Sequence, residues 1–190
     1  ADGPSNFEIS GEVDSTTGDV FGVPTRQMLR GPVKFKAIAV GDLGAIKSLS
    51  LDADFTRAAL TLEDLNWRKP PELRAVGRLE AAFAPEGVEI KSATLDGEAI
   101  AMRGKGSFSA TGALQSADVE RFYLGGAAAL ALAASRSEDG ALRAEVTGAF
   151  LNAGPMIERA VSGPKDPARP DRWKGGLNVR AKLDELALRG

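Results

Sequence analysis

The chain has 190 residues, a formal net charge of −2, 43% hydrophobic and 6% aromatic residues, 22 glycines, and neither histidine nor cysteine. This is long enough for one domain with a real core, while the near-neutral charge lacks the electrostatic footprint of nucleic-acid binding. Without His or Cys, Ser-His-Asp and Cys-His catalysis, imidazole or thiolate zinc sites and disulfides are all excluded within the chain.

No stretch reads as a membrane span. The longest uncharged run, Phe122 to Ser135, is rich in Ala and Gly and shorter than the roughly 20 residues a spanning helix needs. The opening Ala1-Asp2-Gly3-Pro4 carries no basic segment followed by an apolar one, so no signal peptide is legible. The expectation is one β segment over 1–190, a piece of a longer repeat protein.

In chain order, Phe7, Ile9 and Val13 alternate with polar residues and predict a first strand over Asn6 to Val13. Ser15 to Asp19 reads as a loop, and Thr25 to Arg30, closed by Gly31, reads as one helical turn or as coil. Val33 to Val40 predicts a strand ending at Gly41-Asp42. Leu49, Leu51, Ala53 and Phe55 mark the next, with Ser50, Asp52 and Asp54 facing out.

Leu60 and Leu62 sit two apart, and Leu73, Ala75, Leu79, Ala81 and Phe83 share a parity along the following run. Between them lies Trp67-Arg68-Lys69-Pro70-Pro71. Two prolines forbid ladder pairing, so this is a loop or a bent edge. Trp67 fits either a ligand platform or a lid over the sheet end; the lid is favoured because large aromatics commonly close cores. Arg68, Lys69 and Arg74 fit either a contact for anionic head groups or solvated edge charges that deter aggregation; the latter is favoured.

Val88 and Ile90, Ile100 and Met102, Leu130 and Leu132, then Leu142, Ala144 and Val146 repeat the two-residue spacing. Side chains two apart share a face of a strand, so each pair adds to one apolar side. Pro85-Glu86-Gly87, Asp96-Gly97, Ala110-Thr111-Gly112, Gly125-Gly126 and Glu138-Asp139-Gly140 are hairpin signals between these runs. Ala127 to Ala134 has the composition of a helix, yet its flanking glycines and hairpin signals favour a strand. Asn152-Ala153-Gly154-Pro155 starts a short helix over Pro155 to Val161, with Met156, Ile157 and Val161 as its apolar side. Pro164 to Trp173 is a proline-rich connector, and Leu177, Val179, Ala181 and Leu183 mark a last strand.

No motif for chemistry survives inspection. Gly104-Lys105-Gly106-Ser107 lacks the glycine span and following helix of a phosphate loop and reads as strand. Asp96 and Glu98 are turn residues, and Asp52 with Asp54 form no oxygen cage for calcium. The fold expected is mainly β: a strongly twisted, curved antiparallel sheet of roughly eight to ten strands with one short helix, open along one greasy face.

The order of these signals resembles a known family. Trp67-Arg68-Lys69-Pro70, the long strand after it, the Pro85-Glu86-Gly87 hairpin, Asp96-Gly97-Glu98, Arg121 to Gly125, Glu138-Asp139-Gly140 and Gly148-Ala149-Phe150-Leu151-Asn152-Ala153-Gly154-Pro155-Met156-Ile157 together look like the AsmA-like superfamily, in its YhdP-like branch. The resemblance covers about Leu49 to Gly163.

It implies a non-enzymatic part of a periplasmic protein anchored in the bacterial inner membrane outside this chain. Such proteins extend toward the outer membrane and carry phospholipid on an apolar β-groove. The expected partners are acyl chains and the two membranes, with no nucleic acid and no cofactor.

The residues expected to touch acyl chains are Leu49, Leu51 and Phe55, Leu60 and Leu62, then Leu73, Leu79 and Phe83. Further along come Val88 and Ile90, Ile100 and Met102, Leu130 and Leu132, and Leu142 and Val146. The physical case is that each methylene is worth about 0.8 kcal/mol, so exposing a chain of roughly 16 carbons costs on the order of 12 kcal/mol. The alternatives are a structural or adhesive extracellular β-repeat with a filled core, and an enzyme using carboxylates alone. Scatter of Asp and Glu over turns and outward faces argues against the latter.

Overall fold

Residue alternation in this chain builds one large sheet, seen in a computed structural model that describes residues 5–14, 28–42, 45–162 and 176–188. Ten strands lie side by side: β1 (Ser5–Val13), β3 (Val33–Asp42), β4 (Ala45–Asp54), β7 (Ala75–Ala84), β8 (Gly87–Gly97), β9 (Ile100–Ser109), β10 (Leu114–Leu124), β11 (Ala128–Arg136), β12 (Leu142–Asn152) and β13 (Leu177–Ala187). The sheet is curved and does not close into a barrel. From β7 to β12 it is a plain meander, because short turns leave each strand no neighbour but the next. Gly112 and Gly140 sit in two of these turns at φ +77° and +83°, a left-handed conformation that glycine adopts without steric cost.

Nearly all of the sheet is antiparallel, as the alternation predicts. The departure is β13, which pairs parallel with β12 from Leu142↔Leu177 to Asn152↔Ala187. The cause is the helix: α1 (Gly154–Ser162) follows β12 and belongs to a crossover that returns the chain to the same end of the sheet. The Asn152 Oδ1 accepts the Gly154 N–H at 3.2 Å where the helix starts. Its expected apolar side is not covered among the described residues: Met156, Ile157 and Val161 are exposed.

Between β4 and β7 the chain leaves the large sheet. Here β5 (Ala59–Leu62), a 3-10 turn (Glu63–Leu65) and β6 (Trp67–Lys69) form an excursion, and β2 (Leu29–Arg30) joins it to give a second sheet in the order β2-β5-β6. Of the helical turn considered for Thr25–Arg30, residues 25–27 lie outside the described ones, Met28 is helical, and Leu29–Arg30 form β2 instead. Leu29 is buried against Val33 and Ala58, and that burial outweighs the local preference. The Ser15–Asp19 loop and the Pro164–Trp173 connector also fall outside the described residues.

The small sheet packs on one end of the large one. Trp67, Ala75, Ile100, Leu124, Ala127 and Ala128 form a buried cluster there, with Phe55, Leu60, Leu62 and Leu65 against it. Trp67 is 5% exposed and closes the sheet end, as favoured from the sequence.

Candidate functional site: an apolar face spanning ten strands

Register decides which side chains share a face. Ala39 lies opposite Leu49, Leu49 opposite Ala81, Ala81 opposite Ile90, Ile90 opposite Gly106, Gly106 opposite Ala117, and so on through Ala134 and Ala144. The neighbouring row runs Leu51, Leu79, Ala93, Gly104, Val119, Leu132, Val146 and Ala181. Directly opposed residues point to the same side, so these rows form an uninterrupted hydrocarbon face from β1, where Phe7 and Ile9 stand, to β13. Ten strands at about 4.8 Å spacing make it roughly 43 Å wide.

The opposite face is polar and largely self-neutralised. Arg78 donates to Asp52 at 2.7 Å, Lys36 meets Glu8 at 2.8 Å, and Lys105 lies 3.5 Å from Asp118. A depression of about 520 Å³ opens among Lys34, Lys36, Asp52, Asp54, Arg78, Thr94 and Asp96; its cations and anions alternate, which leaves little net charge to attract an ion. Among the described residues no Asp/Glu group is placed to hold a metal ion.

Of the residues singled out by spacing, Leu49, Leu51, Leu79, Phe83, Val88, Ile90, Ile100, Met102, Leu130, Leu132, Leu142 and Val146 do share the apolar face. Their surroundings differ. Ile100 is covered by the small sheet and Leu142 is buried beside Ala134 and Ala144. Leu49, Leu51, Leu79, Val88, Ile90, Met102, Leu130, Leu132 and Val146 are half-buried, and Phe83 is 37% exposed. Leu60 and Leu62 stand elsewhere, on β5 of the small sheet, where they pack onto the cluster around Trp67. Leu73 precedes β7 in a turn, and its carbonyl accepts a hydrogen bond from Lys69. Phe55 follows β4 and lies across Gly77 on the apolar face.

Spacing alone missed β10. Its inward residues are Leu114, Ala117, Val119, Phe122 and Leu124, at intervals of three, two, three and two, because register shifts beside Gln115 and Glu120 each insert an extra residue. A bulge moves the following side chains to the other parity, so a strict two-residue count fails. A two-then-three spacing bounded by hairpin glycines is the signal that finds such a strand.

Lys69 corrects an expectation. Unlike a solvated edge charge, its side chain is fully buried. The ammonium donates to the carbonyls of Leu73 at 2.8 Å, Pro70 at 2.9 Å and Thr56 at 3.3 Å. An ammonium has three N–H donors, and all three are used. Burial pulls its pKa below the ordinary lysine value, with the Glu72 and Asp54 carboxylates pulling the other way. The reason for the location is local: β6 and the Pro70-Pro71 turn fold back under the β4–β5 corner, turning three carbonyls toward one point.

The site is therefore a wide apolar surface, covered at one end by the small sheet. Comparison with known protein families, curated proteins and solved structures finds no match for this chain.

Proposed function

We propose that this chain is a non-enzymatic, lipid-handling segment that holds phospholipid acyl chains on the apolar face of its large sheet. The observation that carries the reading is the face itself: hydrocarbon on every strand from β1 to β13, half-exposed beyond the small sheet. A leaflet's acyl chains span about 15 Å, half of the roughly 30 Å hydrocarbon core of a bilayer, so the face is wide enough to lay several side by side. Exposed apolar area on this scale marks interaction sites on soluble proteins. The AsmA-like, YhdP-like resemblance adds the setting we propose: the periplasm, in a protein anchored to the inner membrane and serving transport toward the outer membrane.

A second reading is a structural or adhesive β-repeat. It draws on the filled core around Trp67, Ile100 and Leu124 and predicts no bound lipid. Mass spectrometry of the gently purified chain separates the two, since phospholipid at near-stoichiometric ratio is expected from the carrier. The double variant Leu79→Asp, Leu130→Asp should lose that lipid while retaining its β-sheet circular dichroism. Lipid uptake unchanged in the folded variant would overturn the carrier reading.

A further inference from the structure

The large sheet ends on one side at β13, an eleven-residue strand whose outer edge pairs with no strand among the described residues. An unpaired edge presents a row of free N–H and C=O groups, and natural sheets guard such edges with prolines, bulges or charges that repel a copy. β13 contains no proline, and its ladder to β12 keeps one register from end to end. Its charges are arranged unusually: Arg180 and Lys182 in the first half, Asp184 and Glu185 in the second. Guard charges of one sign repel every copy. Charges split by sign between the halves attract a copy running the opposite way.

We infer that β13 is the contact through which two copies of this chain associate, pairing antiparallel about a twofold axis centred on Leu183. In that register the Arg180–Lys182 half of each strand lies along the Asp184–Glu185 half of the other, where opposite charges across strands are favourable. Leu183 then meets its own counterpart, and Val179, 58% exposed, lies opposite Ala187 of the other copy. A twofold contact of this type is self-complementary and closes after two copies.

The other edge makes the contrast. β1 carries only Glu8 and Glu12 as charged residues, each already paired within the chain, with Lys36 at 2.8 Å and Arg57 at 3.2 Å, so it offers a copy no charges split by sign. The twofold at β13 also keeps both apolar faces on one side of a twenty-stranded sheet. The inference does not rest on lipid binding, and a dimer without lipid would still satisfy it.

The natural absence of cysteine makes the test direct. Opposed Cα atoms in an antiparallel pair are about 4.5–5.5 Å apart, within disulfide range. Under mild oxidation Leu183→Cys should give a disulfide-linked dimer, and Ile9→Cys on β1 should not. Sedimentation of the unaltered chain should show a mass twice 19.8 kDa. The pair Arg180→Glu, Lys182→Glu should weaken the dimer roughly tenfold or more, and adding Asp184→Lys, Glu185→Lys should restore it, each variant being checked for an unchanged circular dichroism spectrum. A monomer at all concentrations together with no Leu183→Cys cross-link overturns the inference. So does a cross-link between Ile9→Cys and Leu183→Cys chains, which requires head-to-tail rather than twofold contact.

Discussion

The Phe55 ring lies over the backbone of Gly77: a β-carbon added at Gly77 would stand 3.1 Å from the Phe55 Cε2 and 3.4 Å from the Thr94 carbonyl oxygen. Phe55 packs with both the cluster around Trp67 and the cluster around Leu29 and Val33, so the ring has little room to retreat. Gly77 is thus a seat in the large sheet for the residue that leads into the small one.

Gly77→Ala should destabilise the fold by about 1–2 kcal/mol through overpacking, read as a lower urea midpoint at unchanged slope. Phe55→Ala should cost more, about 3 kcal/mol, since it empties a site between two buried clusters. If Gly77→Ala leaves the midpoint unmoved, the ring is not held as described.

Lys69 gives the sharpest polar prediction. Lys69→Met keeps much of the stem but leaves the Pro70 and Leu73 carbonyls without donors, each worth roughly 1 kcal/mol or more when orphaned, whereas the Thr56 carbonyl still accepts the Glu72 N–H at 2.8 Å. A loss of about 2 kcal/mol is expected. Lys69→Arg should not recover it, because a planar fork cannot reach three carbonyls that converge on a single atom. Hydrogen exchange should show faster opening in β5 and β6 than in β8 to β11. Uniform acceleration across both sheets would rule out a local clasp.

Acid should loosen two turns. The Thr56 hydroxyl and backbone N–H hold Asp54 below the ordinary aspartate value of 3.8, and the Ser137 hydroxyl with the Ala141 N–H does the same for Asp139. A folded pKa below the unfolded one contributes stability that is fully present above the unfolded value and disappears as pH falls through the folded one. Thermal midpoints should therefore fall below pH 3.8, and the double variant Asp54→Asn, Asp139→Asn should show a flatter decline there. Both carboxylates are exposed, so the effect is small. Identical acid profiles would refute the assignment.

The apolar face should divide by position. Phe83 and Phe108 stand 37% and 38% exposed at the end of the strands away from the small sheet, whereas Ile100 is 5% and Leu124 0% exposed beneath it. Phe83→Asp or Phe108→Asp should leave a folded chain with reduced binding of a fluorescent fatty acid. Ile100→Asp or Leu124→Asp should cost several kcal/mol, because a carboxylate buried without a partner is severely penalised. Equal tolerance at all four positions would mean that the small sheet does not seal its end.

The strands themselves were readable in the chain. Apolar residues two apart, cut by glycine-bearing turns, put Leu49, Leu79, Ile90, Met102, Leu132 and Val146 on a common side, since a pleated strand fixes side-chain direction residue by residue. Even the alanine-rich β11 followed from its turns, against its helical composition.

Tertiary structure decided what periodicity does not encode. Bulges in β10 broke the two-residue count, and the crossover through α1 made β13 parallel. Leu60 and Leu62 have the alternation of a wall strand, yet they belong to a second sheet, because spacing records only which residues face alike and not what they face. Lys69 shows the limit most plainly: a lysine between an arginine and two prolines reads as solvated, and only the convergence of carbonyls from Thr56, Pro70 and Leu73 makes its burial favourable.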